Sequence, residues 1–159
     1  MQPRIETLPE TKLVGKRIRT SFAENRTGEL WQSFMPERGL ISNGVGTELY
    51  AVEVFDSTDF FREFNPTREF EKWAAIRVSE YEVIPSGMDT LTVPEGLYAV
   101  FHYKGLASEA RETFQFIYGT WIPNSGYRLD NRPHFALMGE KYRNNDPDSE
   151  EEFWVPITK

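Results

Sequence analysis

The chain has 159 residues, with 18 Lys and Arg against 25 Asp and Glu, a formal net charge of −7 at pH 7. That length suits one domain, here 1–159, and the acid excess leaves no overall electrostatic footprint for nucleic acid, which requires clustered Lys and Arg. With no cysteine and only His102 and His134 as histidines, disulfides, thiolate metal sites and cysteine nucleophiles are excluded, and no metal or cofactor is expected.

The N-terminal MQPRIETLPE lacks the apolar run of a signal peptide, and no stretch approaches the roughly 20 apolar residues of a membrane span. A cytoplasmic protein with no membrane partner is expected. KLVGKRIRT (Lys12 to Thr20) alternates β-branched with basic residues and predicts a strand. Leu30, Trp31, Phe34 and Met35 share one face of a predicted helix from Thr27, its N-cap, to Glu37, with Pro36 as stop signal. A strand is predicted at Glu48 to Phe55, a long connection at Asp56 to Thr67, and a strand at Phe70 to Val78.

A second series follows. LTVPEGLYAVFHYKG (Leu91 to Gly105) predicts extended chain turning at Pro94-Glu95-Gly96 into a strand. Ser108 is placed to cap a helix whose apolar face is Phe114, Ile117, Tyr118 and Trp121, ended by Pro123 and the Asn124-Ser125-Gly126 turn. Strands are predicted at Pro133 to Tyr142 and Glu151 to Ile157, separated by a turn at Asn144 to Ser149.

The two series match. KLVGKRIRT aligns with GLYAVFHYK, ELWQSFMP with FIYGTWIP, LYAVEVF with FALMGEKY, and FEKWAAI with EEFWVPI. Glu-x-Trp recurs at the same place in each, as Glu71/Trp73 and Glu152/Trp154. The pattern predicts an α+β fold of duplicated βαββ units, one at about 11–80 and one at about 90–158. One unit cannot bury its apolar strand face alone, so two are expected to join in one antiparallel sheet under two helices, with a pseudo-two-fold ligand cleft between them.

Residues i and i+2 of a strand share a face, so each Glu lies beside its Trp. A ring face and a carboxylate in a partly desolvated cleft together recognise flat, lipophilic cations. The alternative reading of the same spacing is two core rings and two solvated edge carboxylates. The 23 aromatic residues (12 Phe, 7 Tyr, 4 Trp) serve a core and a pocket equally well. Tyr50, Tyr98, Tyr118 and Trp121 complete the candidate ligand-binding set. The acidic stretch from Asp146 to Glu152 lacks calcium-loop spacing, and no nucleophile elbow, phosphate loop or dinucleotide fingerprint occurs. No catalytic residue is assigned. A general acid/base pair of Glu152 with Tyr50 or Tyr98 is the arrangement an enzyme would need.

LTVPEGLYAVFHYKG, the segment FIYGTWIPNSGYRLDNRPHFALMGEKY and the ending EEEFWVPI resemble the GyrI-like, AraC-type effector-binding domain family, also called SOUL/GyrI-like. The resemblance runs over almost the whole chain and is densest from about Leu91 to Ile157. It implies two βαββ units and an aromatic-lined cleft at their junction, which in multidrug-sensing bacterial members takes lipophilic cations through an acidic residue after the aromatic of RP-x-F. Here that position is Ala136. A bound cation would then need Glu152 or Glu71; otherwise the departure points to a neutral ligand. With both helices absorbed by the repeats, the chain resembles stand-alone members rather than those joined to a DNA-binding helix-turn-helix. It is therefore expected to bind small, lipophilic aromatic molecules, cationic if a cleft carboxylate serves them. The alternatives are a cofactor-free hydrolase of small xenobiotics in the same cleft and a gyrase-inhibitor-like protein interaction.

Overall fold

Alternating apolar and polar residues favour strands, and the computed structural model, which describes residues 2–159, contains a nine-stranded sheet. Its strands are β1 (Arg4–Leu8), β2 (Thr11–Thr20), β3 (Leu49–Val54), β4 (Phe70–Arg77), β5 (Asp89–Val93), β6 (Gly96–Lys104), β7 (Arg128–Leu129), β8 (His134–Met138) and β9 (Glu150–Thr158). They pair antiparallel in the order β1-β6-β9-β8-β3-β4-β2-β5, with β7 also joined to β9. Helix α1 (Thr27–Phe34) runs on into a 3-10 segment, Met35–Leu40. Helix α2 (Arg111–Phe116) continues through a π-helical turn (Ile117–Trp121) into α3 (Ile122–Ser125), where Gly126 in the left-handed region stops it.

The halves β2-α1-β3-β4 and β6-α2-β8-β9 meet along β3 and β8, with Ala51 opposite Ala136. Each half takes its outermost strand from the other part of the chain: β1 pairs with β6, and β5 pairs with β2. Only Pro9 and Glu10 separate β1 from β2, and only Pro94 and Glu95 separate β5 from β6. Three Cα steps of 3.8 Å reach about 11 Å at most, yet the joined strands lie near opposite ends of the strand order. The sheet must therefore curl until its two flanks come together.

Curling gives the sheet an inner and an outer face. Leu13, Tyr50, Val52, Trp73, Tyr98, Val100, Phe135 and Trp154 fill the inner face as one core drawn from both halves. On the outer face α1 packs Leu30 and Phe34 on Val14 and Ala74, while the α2 region packs Ile117 and Phe114 among Phe101 and Phe153. Gly15 permits the close approach of β2 to β4: a Cβ there would collide with the Ala74 carbonyl oxygen and lie 2.6 Å from the Ala75 Cα.

The fold differs from the sequence expectations at element ends. Thr27 is the first residue of α1, not its cap; its hydroxyl donates to Asn25 Oδ1. Pro36 opens the 3-10 segment instead of stopping the helix, because a ring near an N-terminus costs no hydrogen bond. Ser108 sits in a short 3-10 turn before α2, whose N-cap position is held by Ala110. Pro123 lies inside α3, just after the π-helical turn, where the helical bonding pattern changes. Strand β1 was not legible, since its residues are mostly exposed and it exists through pairing with β6.

Candidate functional site

The eight residues singled out from the sequence divide between the two faces. On the inner face, the Trp73 Nε1–H donates to Glu71 Oε1 at 2.5 Å and the Trp154 Nε1–H to Glu152 Oε1 at 3.1 Å. Each carboxylate also meets an arginine of its own chain. Arg4 Nη2 lies 2.7 Å from Glu152 Oε2, and its guanidinium carbon is 5.9 Å from the Trp154 ring centre. Arg17 Nη1 lies 3.5 Å from Glu71 Oε2, with its guanidinium 5.7 Å from the Trp73 ring. Both Glu-x-Trp units thus hold a cation between ring and carboxylate, and both cations are internal. Trp73 is 1% and Trp154 8% exposed, so the rings are also core.

Tyr50 and Tyr98 join the same inner core, each packed on Phe135 at 5.4 and 5.5 Å. The Tyr98 hydroxyl donates to the Pro133 carbonyl at 2.7 Å, and burial raises its pKa. Arg132 lies over the Tyr98 ring at 4.8 Å and donates to the Leu97 and Ile157 carbonyls. Tyr118 and Trp121 belong to the outer face. Tyr118 stacks on Phe61 at 3.9 Å and shares a 2.9 Å hydrogen bond with His134 Nδ1. Trp121 packs edge-on to Phe101 and parallel to Tyr127.

Between the two helices the outer face carries a charged cluster that the sequence reading passed over. Its floor is the Ala51–Ala136 pair. Ala136 has Ala51 on β3 and Phe153 on β9 as strand neighbours; Glu53 and Glu151 lie two residues along those strands and point to the same face. Glu53 is 3.6 Å from Lys72, both largely buried. Glu151 makes no hydrogen bond or ion pair within the usual limits among the described residues; burial raises its carboxyl pKa, partly opposed by the Lys72 charge. The cluster therefore holds two carboxylates against one ammonium. Tyr103 pairs with Glu151 in register and stacks on Phe153, which stacks on Phe114 at 4.6 Å. At the other end His134, opposite Glu53, is enclosed by Phe55, Phe61 and Tyr118, and burial holds its pKa at about 3. Period-two alternation carried the missing signal: Glu151 shares a face with Phe153, just as Glu152 shares one with Trp154. Among the described residues no group of three His, Cys, Asp or Glu side chains is placed to hold a metal ion.

A curled antiparallel sheet under two helices is the architecture of a known class of small-molecule binding domains. The chain belongs to the GyrI-like small-molecule binding domain family, which it matches over residues 1–158. It is 29% identical over 159 residues to the transcriptional regulator BrlR of Pseudomonas aeruginosa; the match covers 99% of this chain and 56% of BrlR, so the chain spans about half the length of that relative. Among solved structures it is similar to SAV2435 bound to tetraphenylphosphonium, with a TM-score of 0.70, 16% identity, and 99% and 94% of the two chains covered. It is also similar to the EcmrR C-terminal domain, with a TM-score of 0.71, 16% identity, and 99% and 98% covered. No helix among the described residues is long and apolar enough to cross a membrane.

Proposed function

We propose that this small-molecule binding domain takes lipophilic aromatic cations in the outer groove between its helices, with Glu151 as principal counter-charge and Glu53 as its second. The observation that carries this reading is the surplus carboxylate: Glu53 has Lys72, whereas Glu151 is desolvated and unpaired among aromatic side chains. A permanent cation docking there would restore the interaction that burial has taken from the carboxylate. Tyr103, Phe114 and Phe153 would supply ring faces, each attractive to positive charge. The acidic residue that the family resemblance expects at Ala136 is replaced, in this reading, by carboxylates on the two neighbouring strands. The inner-face pairs Glu71/Trp73 and Glu152/Trp154 have the same receptor chemistry, but Arg17 and Arg4 already occupy it. A neighbour of the same fold holding tetraphenylphosphonium, and a regulator relative of the family, support an effector-binding role.

Calorimetric titration with tetraphenylphosphonium tests the reading. Glu151→Gln is expected to weaken binding about ten-fold, and Glu151→Gln/Glu53→Gln further, as loss of a charge-assisted contact would. Glu71→Gln and Glu152→Gln should stay within about two-fold of wild type, because their carboxylates face the other side of the sheet. Since tetraphenylphosphonium does not titrate, its affinity should rise as pH increases through the raised pKa of Glu151. Unchanged affinity in the double variant would refute the assignment.

A further inference from the structure

We propose that the cleft beside Tyr118, at the far end of the outer face, is a second site that takes a small planar aromatic bearing a carboxylate or sulfonate. The cleft has a volume of about 770 Å³ and is lined by Phe61, Arg62, Tyr118, Tyr127 and Arg128 among others. That size is typical of small-molecule sites. Its lining contains two guanidinium groups and no carboxylate, in a chain whose net charge is −7.

The two arginines keep donors free. Of the acids near Arg62 in sequence, Glu63 makes no ion pair among the described residues, and Asp59, which also feels the Arg62 charge, is 3.4 Å from Arg68, which holds Asp56 at 2.6 Å as well. Among the described residues Arg62 has no carboxylate within 4 Å, and Arg128 donates to the main-chain oxygen of Lys159 at 3.1 Å. A guanidinium has five N–H donors in a planar fork that matches an oxyanion. The lining suits a flat ring. Phe61 and Tyr118 stack directly on each other, 3.9 Å apart and within 7° of parallel, as one aromatic block, and Tyr127 is held at 16° to Trp121. An aromatic lying in the cleft would pack against this block and Tyr127 while its anionic group reached Arg62 and Arg128.

This site is separate from Glu151, the principal counter-charge of the cation groove. Glu151 and Thr158, the latter lining the cleft, lie on one strand; at about 3.3 Å per residue, seven steps put them about 23 Å apart. The two sites also select opposite charges, so either can fail without the other.

The test uses 2-naphthalenesulfonate and its neutral counterpart 2-naphthalenemethanol, titrated by calorimetry and by quenching of the tryptophan emission. The sulfonate is expected to bind wild type about ten-fold or more tightly than the alcohol, with amide shifts at Gly126 and Thr158 and none at Glu151. Arg62→Gln/Arg128→Gln, both exposed positions, should abolish that preference, retain the wild-type circular dichroism spectrum and leave tetraphenylphosphonium affinity unchanged. Equal binding of sulfonate and alcohol by wild type would overturn the proposal without reference to any variant. So would undiminished sulfonate binding by the double variant.

Discussion

His134 shows how a single residue registers its surroundings. From sequence it reads as one of two unremarkable histidines; in the fold it is buried, bonded to Tyr118 and ringed by Phe55 and Phe61. Burial disfavours the imidazolium, and the nearby Arg132 charge adds to the effect, so the folded pKa of about 3 lies below the unfolded value near 6.5. Between those values the unfolded chain binds the extra proton. Stability is therefore full above about pH 6.5 and falls as pH drops toward 3, by an amount on the order of a few kcal/mol. Urea unfolding from pH 7 to 4 should show that loss, and His134→Gln, which cannot titrate, should flatten it. The candidate-site carboxylates teach the complementary lesson. Glu-x-Trp was visible at Glu71/Trp73 and Glu152/Trp154, but the arginines that occupy both pairs come from β1 and β2, distant in sequence. Glu151 was one position away from the residue singled out, and only its environment sets it apart.

At the scale of elements, strand alternation was the dependable signal and caps were not. β2, β3, β4, β6, β8 and β9 fall within or close to the stretches where the pattern predicts them. Thr27, Pro36, Ser108 and Pro123 mark helix ends only loosely, because 3-10 and π turns extend both helical regions past the residues that would end a regular helix. Strand β2 depends on a residue with no side chain. Gly15 faces Ala75 across the β2–β4 ladder, with main-chain atoms where a methyl group would stand. The backbone there cannot give way without breaking register, so Gly15→Ala should cost about 2 kcal/mol or more, read as a lowered urea midpoint at unchanged slope. Gly119→Ala, where nothing lies within 4 Å of an added Cβ, is the control and should leave the midpoint close to wild type.

For the molecule as a whole, the exchange of edge strands couples the halves. β1 completes the second half and β5 the first, while both contribute to one inner core. Cutting between Ile84 and Pro85 would leave each fragment with an unpaired central strand and an exposed apolar face. Residues 1–84 and 85–159 produced separately should each lack a cooperative thermal transition. Mixed in equal amounts, they should regain the sheet signal and the fluorescence of buried Trp73 and Trp154. A fragment folding cooperatively alone would show that the shared core is dispensable.

What the sequence alone determined is local and periodic: the order of the helices and of strands β2, β3, β4, β6, β8 and β9, the duplication, the family resemblance and the absence of cysteine chemistry. These follow from residue spacing along one chain, which alternation and turn chemistry make directly readable. The tertiary structure decided which face each carboxylate meets and what already lies against it. Pairing of β1 with β6 brought Arg4 to Glu152 and Trp154, the meeting of β3 with β8 placed Ala51 opposite Ala136, and burial among aromatics raised the pKa of Glu151. Charge recognition depends on distance and desolvation between residues remote in sequence, and a one-dimensional pattern carries neither.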